Sequence, residues 1–117
     1  MAKLECPLHG DFYTILNTVN QAVIGKSVSA SVEDTTDFVS GDTHVAVRVY
    51  ERFSYLGNNR VSMNVTLIGT RREDGTPEVY LSAITSGGSG AVFFKINTFG
   101  ESAFLDTIRD AVDRFRY

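Results

Sequence analysis

Four short patterns in this chain contain residue types capable of chemistry, and each can be weighed by what that chemistry requires. Gly25-Lys26-Ser27 has the closing triplet of a phosphate-binding loop. Such a loop also needs a glycine five residues earlier, where Asn20 stands, and it leads from a strand into a helix. Here helical periodicity comes before the triplet and strand alternation after it, so a phosphate cradle is not expected. Gly87-Gly88-Ser89-Gly90-Ala91 falls one residue short of a nucleophile elbow. An elbow raises its serine on a strand-to-helix turn, whereas Ala91-Val92-Phe93-Phe94 reads as strand, and nothing ties His9 or His44 to Ser89. Cys6-x-x-His9 offers two metal ligands where zinc takes three or four, and His44 is the one other histidine. Asn64-Val65-Thr66 matches a glycosylation acceptor but falls in the middle of a strand. The expectation is therefore no catalytic residue, no metal site and no cofactor.

Two surfaces remain. Ser86, Gly87, Gly88 and Ser89 form a glycine-serine turn whose consecutive backbone N–H groups suit an anion, with Arg48 or Lys95 as counter-charge. The second surface is a polar-aromatic strand face carrying Arg48, Tyr50 and Arg52, with Tyr80 two strands on. Tyr and Arg are enriched where proteins meet, and an arginine pair also suits a carboxylate or phosphate.

These residues need elements to position them. Leu4, Cys6 and Leu8 alternate within Ala2–Leu8, predicting a short strand that Pro7 assigns to an edge or an end. Asp11 is a natural N-cap, and Phe12, Ile15, Leu16, Val19 and Val23 recur at helical spacing, with Gly25 as the stop. Val28, Ala30 and Val32 predict a strand, and Asp34–Asp42 a turn-rich stretch that reverses at Ser40-Gly41-Asp42. Thr43–Tyr55 reads as the longest strand, with Val45, Val47 and Val49 inward and His44, Arg48, Tyr50 and Arg52 outward. The next strands turn Val61, Met63, Val65 and Leu67, then Val79, Leu81 and Ala83, inward. Their hairpins fall at Gly57-Asn58-Asn59 and at Asp74-Gly75. Ala91–Asn97 reads as a further strand. Thr98 and Glu101 form a capping box for a C-terminal helix whose buried stripe is Phe104, Leu105, Ile108, Val112 and Phe115.

Strands joined by short turns predict an antiparallel meander, and two amphipathic helices need one apolar sheet face to cover. The expected fold is a single α+β domain spanning residues 1–117. It is a two-layer sandwich with both helices on one face, in the order β-α-β-β-β-β-β-α.

Composition narrows the function. With 117 residues and a net charge of −3, the chain has no electrostatic footprint for nucleic acid. One cysteine makes no internal disulfide and fits a reducing cytoplasm. MAKLECPLHGD lacks an apolar run, so neither a leader nor a membrane span is expected. The blocks Val45–Gly69 and Ser82–Asp106, together with His9-Gly10-Asp11-Phe12, resemble a family of small bacterial proteins classed as a domain of unknown function. The likeness spans almost the whole chain. It implies a bacterial, cytosolic origin and supplies no reaction or site residues. The leading expectation is a non-enzymatic binding or interaction domain that self-associates through the Arg/Tyr sheet face or the edge near Val92–Ile96. The alternative is a protein or small enzyme that holds a small anionic ligand on the Ser86–Gly90 loop.

Overall fold

The computed structural model describes residues 1–26, 29–54, 59–87 and 94–116, without the side chains of residues 54, 59 and 94–101. Its elements are β1 (Ala2–His9), α1 (Phe12–Lys26), β2 (Ser31–Ser40), β3 (Thr43–Ser54), β4 (Asn59–Arg71), β5 (Pro77–Gly87) and α2 (Phe94–Val112). A single 3-10 turn, Asp113–Phe115, follows α2. The five strands form one antiparallel sheet in the order β1-β5-β4-β3-β2. Strands β2 to β5 are a meander, and β1 returns beside β5. Both helices pack on the same face, giving the expected two-layer α+β sandwich.

The local reasons for the first helix are visible in its cap. The Asp11 carboxylate accepts hydrogen bonds from the Thr14 N–H at 3.0 Å and from its hydroxyl at 3.0 Å, which satisfies a first-turn donor that the helix itself leaves unpaired. Phe12, Ile15, Leu16, Val19, Ala22 and Val23 are then buried along one stripe. Gly25 lies inside the last turn of α1, rather than capping it, and its φ is not positive. In α2, Phe104, Leu105, Ile108 and Val112 are buried as the spacing predicted, with Phe115 partly buried beside them. Beneath the two helices lie Leu4, Cys6 and Leu8 of β1, Val79, Leu81 and Ala83 of β5, and Val61, Met63, Val65 and Leu67 of β4.

Three expectations need correction. First, the stretch beginning at Asp34 is strand as far as Ser40, not turn. The reversal is only Gly41-Asp42, where Gly41 takes φ +57°. β2 is an edge strand exposed on both faces, so its polar side chains show no alternation, and ladder bonds to β3 hold it extended. Second, Phe94–Asn97 is helical, so α2 is under way before Thr98, and Thr98-Phe99-Gly100-Glu101 does not open it. A short apolar run suits a buried helix as well as a buried strand, and periodicity alone does not separate them. Residues 91–93 lie outside the described part.

Third, the inward and outward sides of β3 are exchanged. On β3 it is Ala46 and Tyr50 that are buried toward the helices, with His44, Arg48 and Arg52 on the same side. Val45, Val47 and Val49 lie on the opposite, uncovered face. Strand pairing enforces this. Ser54 pairs with Asn59 across a four-residue connection, so odd positions of β3 pair with even positions of β4. Val45 therefore lies beside Ile68, and Tyr50 beside Met63. With Met63 and Val65 inward, Tyr50 and Arg48 must also be inward, because a one-residue change of parity turns every side chain of a strand over.

Candidate interaction surface

The helices leave one whole face of the sheet uncovered, and the strand registers place its residues in rows. Phe38, Val45, Ile68, Tyr80 and Pro7 align across all five strands, an apolar row from one edge to the other. Phe38 is 55% exposed, Tyr80 51% and Ile68 38%. The adjacent row is Thr36, Val47, Thr66, Ser82 and Glu5, and the one beyond it is Asp34, Val49, Asn64, Ile84 and Lys3. Val45, Val47 and Val49, expected in the core, thus form the middle of an open face.

Charges on this face sit at its rim and are mostly paired. Lys3 Nζ lies 3.3 Å from Glu5 Oε1 on β1, and Arg60 Nε lies 2.7 Å from Glu51 Oε1 near the far end of β3 and β4. Arg72 Nε lies 2.6 Å from Glu78 Oε2 at the other end. The Tyr80 phenol also donates to Glu78, and that hydrogen bond, followed by the Glu78 charge, raises its pKa. A shallow depression of about 430 Å³ opens between Pro7, Ile68 and Tyr80. The apolar row is flanked by rows in which Val47, Val49 and Ile84 alternate with Thr, Ser and Asn. A patch with few charges inside it and charges at its rim is a common feature of protein–protein contacts.

The residues expected to form a site are divided by the sheet. Arg48 faces the helix layer, its Nη1 2.9 Å from Asp37 Oδ1 and donating to the Val47 carbonyl at 3.0 Å. Tyr50 is fully buried and donates its hydroxyl to Asn20 Oδ1 of α1 at 3.0 Å. Burial pushes the Tyr50 pKa up to about 12, with the Arg48 charge opposing the rise. The Arg52 guanidinium stacks on Phe104 of α2, 4.6 Å from the ring centroid, and burial draws its pKa below the usual guanidinium value. These three side chains cover the margin of the core with their apolar stems and keep their polar ends at its border. Tyr80 and Ser86 lie on the open face, and Gly87 ends β5 opposite Val61. The sheet therefore separates Arg48 from Ser86. Gly88 and Ser89 lie outside the described residues, as does the side chain of Lys95.

Cys6 and His9 are also separated. Three residues apart on a strand, they point to opposite faces, Cys6 into the core and His9 outward. Among the described residues no group of three His, Cys, Asp or Glu side chains is placed to share a metal.

A smaller cluster escaped the sequence reading. His44 Nδ1 lies 3.2 Å from the Tyr13 hydroxyl, with the Phe12 ring 5.4 Å away. The hollow beside it, bordered by Asp11, Asp42 and Arg71, holds about 150 Å³. A second hollow of about 310 Å³ opens on its other side, among Leu16, Asp37, Val39 and Arg48, so the cluster stands between two depressions at one end of the helix–sheet interface, the larger at the bottom of the roughly 300–1,000 Å³ range of ligand pockets. The signal for it was the parity of β3, which places His44 under Phe12.

A model of the family described as "Family of unknown function (DUF6054)" matches residues 1–116 of the chain. No curated protein and no solved structure matches it.

Proposed function

The chain belongs to this family of unknown function, so its role has to be read from its own surface, and we propose that it is a non-enzymatic interaction domain that self-associates through the open face of its sheet. The observation that carries this reading is the row Phe38–Val45–Ile68–Tyr80–Pro7 on the face the helices leave bare. Strands about 4.8 Å apart and residues about 3.3 Å along them give the face roughly 24 by 30 Å, or about 700 Å². Stable complexes bury about 600–1,000 Å² per partner, so the face falls within that range only if all of it is engaged. A twofold axis through its centre lays one copy of the row against the other, as in the packing of two sheets about 10 Å apart.

The contact surface differs from the one first expected. Of the Arg/Tyr set only Tyr80 takes part, while Arg48, Tyr50 and Arg52 serve the helix layer. A bacterial cytosol is the proposed setting. Its reducing condition suits the single, buried Cys6, and no described helix is long and apolar enough to cross a membrane. Size-exclusion chromatography with light scattering tests the proposal. The expected mass is twice that of the chain at micromolar concentration, and a strict monomer at high micromolar concentration would overturn it.

A further inference from the structure

The two edges of the sheet are built differently. On β1, Pro7 has no N–H to offer an incoming strand. Leu8 pairs with Val79 on its inner side and is already bridged on its outer side by Arg116. Lys3 adds a charge of the kind that discourages pairing. β2 is guarded differently: no described bridge covers its outer side, and its charges are the carboxylates of Glu33, Asp34 and Asp37, which repel an acidic strand rather than every strand. The strand contains no proline, lysine or arginine, and Val32, Phe38 and Val39 are 41%, 55% and 59% exposed. Its one irregularity lies between Val32 and Asp34, and from Asp34 to Ser40 the ladder with β3 is regular. Alternate residues of that run direct both N–H and C=O away from β3.

We propose that the Asp34–Ser40 edge accepts an extended, basic segment of another protein as an added strand. Backbone groups on such an edge supply affinity, and the flanking side chains supply selection. The selection here is by charge. Asp34 lies beside Val49 on the open face, and Asp37 lies beside Ala46 on the helix side. An incoming strand therefore meets a carboxylate on each of its two faces, and Glu33 stands at the near end. Arg48 faces Asp37 from β3 and is the one cation reaching the strand among the described ion pairs. A second copy of β2 would bring carboxylates against carboxylates, which is destabilising for neighbouring strands. A segment with Lys or Arg three residues apart meets Asp34 and Asp37 together, and an apolar neighbour then lies beside Phe38 or Val39. The free ladder groups of this edge point along the plane of the sheet, not out of the open face, although the side chains of Asp34, Thr36 and Phe38 belong to both.

A fluorescein-labelled nine-residue peptide of Thr and Val with two lysines three apart tests the inference, against the same peptide with glutamates. In anisotropy titrations of the full chain, the lysine peptide is expected to saturate and to bind about tenfold more tightly than its counterpart. Raising the ionic strength from about 0.05 to 0.5 M should weaken it several-fold. The double variant Asp34→Lys/Thr36→Lys, exposed at both positions, should reverse the preference. Hydrogen exchange should show new protection at alternate amides of Asp34–Ser40 and none in β1. Absence of saturation at millimolar peptide, equal binding of the two peptides, or protection in β1 instead of β2 would overturn it.

Discussion

Gly69 offers a sharp test of which face of β4 the helices cover. A methyl group added at its Cα would lie 2.5 Å from Cδ1 of Phe12, 3.1 Å from Cγ and 3.3 Å from Cβ. Carbon atoms in contact sit about 3.5–4.0 Å apart, so the ring has to retreat by about 1 Å. Retreat is open toward the hollows that Phe12 lines, and two rings bound it elsewhere. Phe12 opens α1 immediately after the Asp11 cap, and its ring meets Tyr13 edge-on at 5.2 Å and His44 at 5.4 Å. Overpacking of this kind costs about 1–3 kcal/mol, and at this chain length each 1 kcal/mol lowers the melting temperature by roughly 3–6 °C. Gly69→Ala should therefore lower the urea midpoint at unchanged slope. In a Phe12→Leu background the cost of Gly69→Ala should largely vanish, leaving a coupling energy of at least about 1 kcal/mol. A Gly69→Ala protein within about 0.5 kcal/mol of wild type, or an undiminished cost beside Leu at position 12, would refute the placement of Phe12 over β4.

Tyr50→Phe should cost about 1 kcal/mol in urea unfolding, because it leaves the half-buried Asn20 Oδ1 without its donor; an unchanged midpoint would contradict the inward parity of β3. Tyr50 also sets an alkaline limit. Its folded pKa, about 12, lies above the ordinary value of 10.0, so the stability it contributes is complete below pH 10 and is lost as pH rises through about 12, a loss on the order of 2 kcal/mol. Stability measured against pH in that window should fall less steeply in Tyr50→Phe, and identical slopes would argue against a buried phenol. Burial raises the Cys6 thiol pKa, with the Arg116 charge opposing, so a disulfide reagent at neutral pH should label Cys6 only as the protein unfolds. Labelling at the rate of a free thiol would place β1 outside the core.

Much of this architecture is legible in the sequence because the covered elements obey simple periods. Leu4, Cys6 and Leu8 alternate and are buried, and the stripe from Phe12 to Val23 recurs at helical spacing and is buried. The period failed where an element is not half-covered. β2 borders water on both faces, so Glu33, Asp34, Thr35, Thr36 and Asp37 look like a loop while the ladder to β3 makes them strand. β3 lies at the margin of the helix layer, where its Val residues face outward and Tyr50 and Arg52 reach under the helices. Hydrophobicity alone chose the wrong side. The hairpin parity pointed to the right one, since a connection of four residues makes Val45 a neighbour of Ile68. Arg48, Tyr50 and Arg52 were placed on the wrong face for the same reason, and Tyr80 is the residue shared by the face expected from the sequence and the open face proposed for association.

The most direct test of the central claim is sedimentation equilibrium of wild type beside two single charge insertions, Ile68→Lys on the open face and Val39→Lys on the helix side of β2. Both positions are exposed, at 38% and 59%, so neither substitution buries a charge in the folded monomer. The account predicts a dimer for wild type and Val39→Lys and a monomer for Ile68→Lys, with all three showing the same far-ultraviolet circular dichroism. A dimer that survives Ile68→Lys, or one that Val39→Lys dissolves equally, would contradict it.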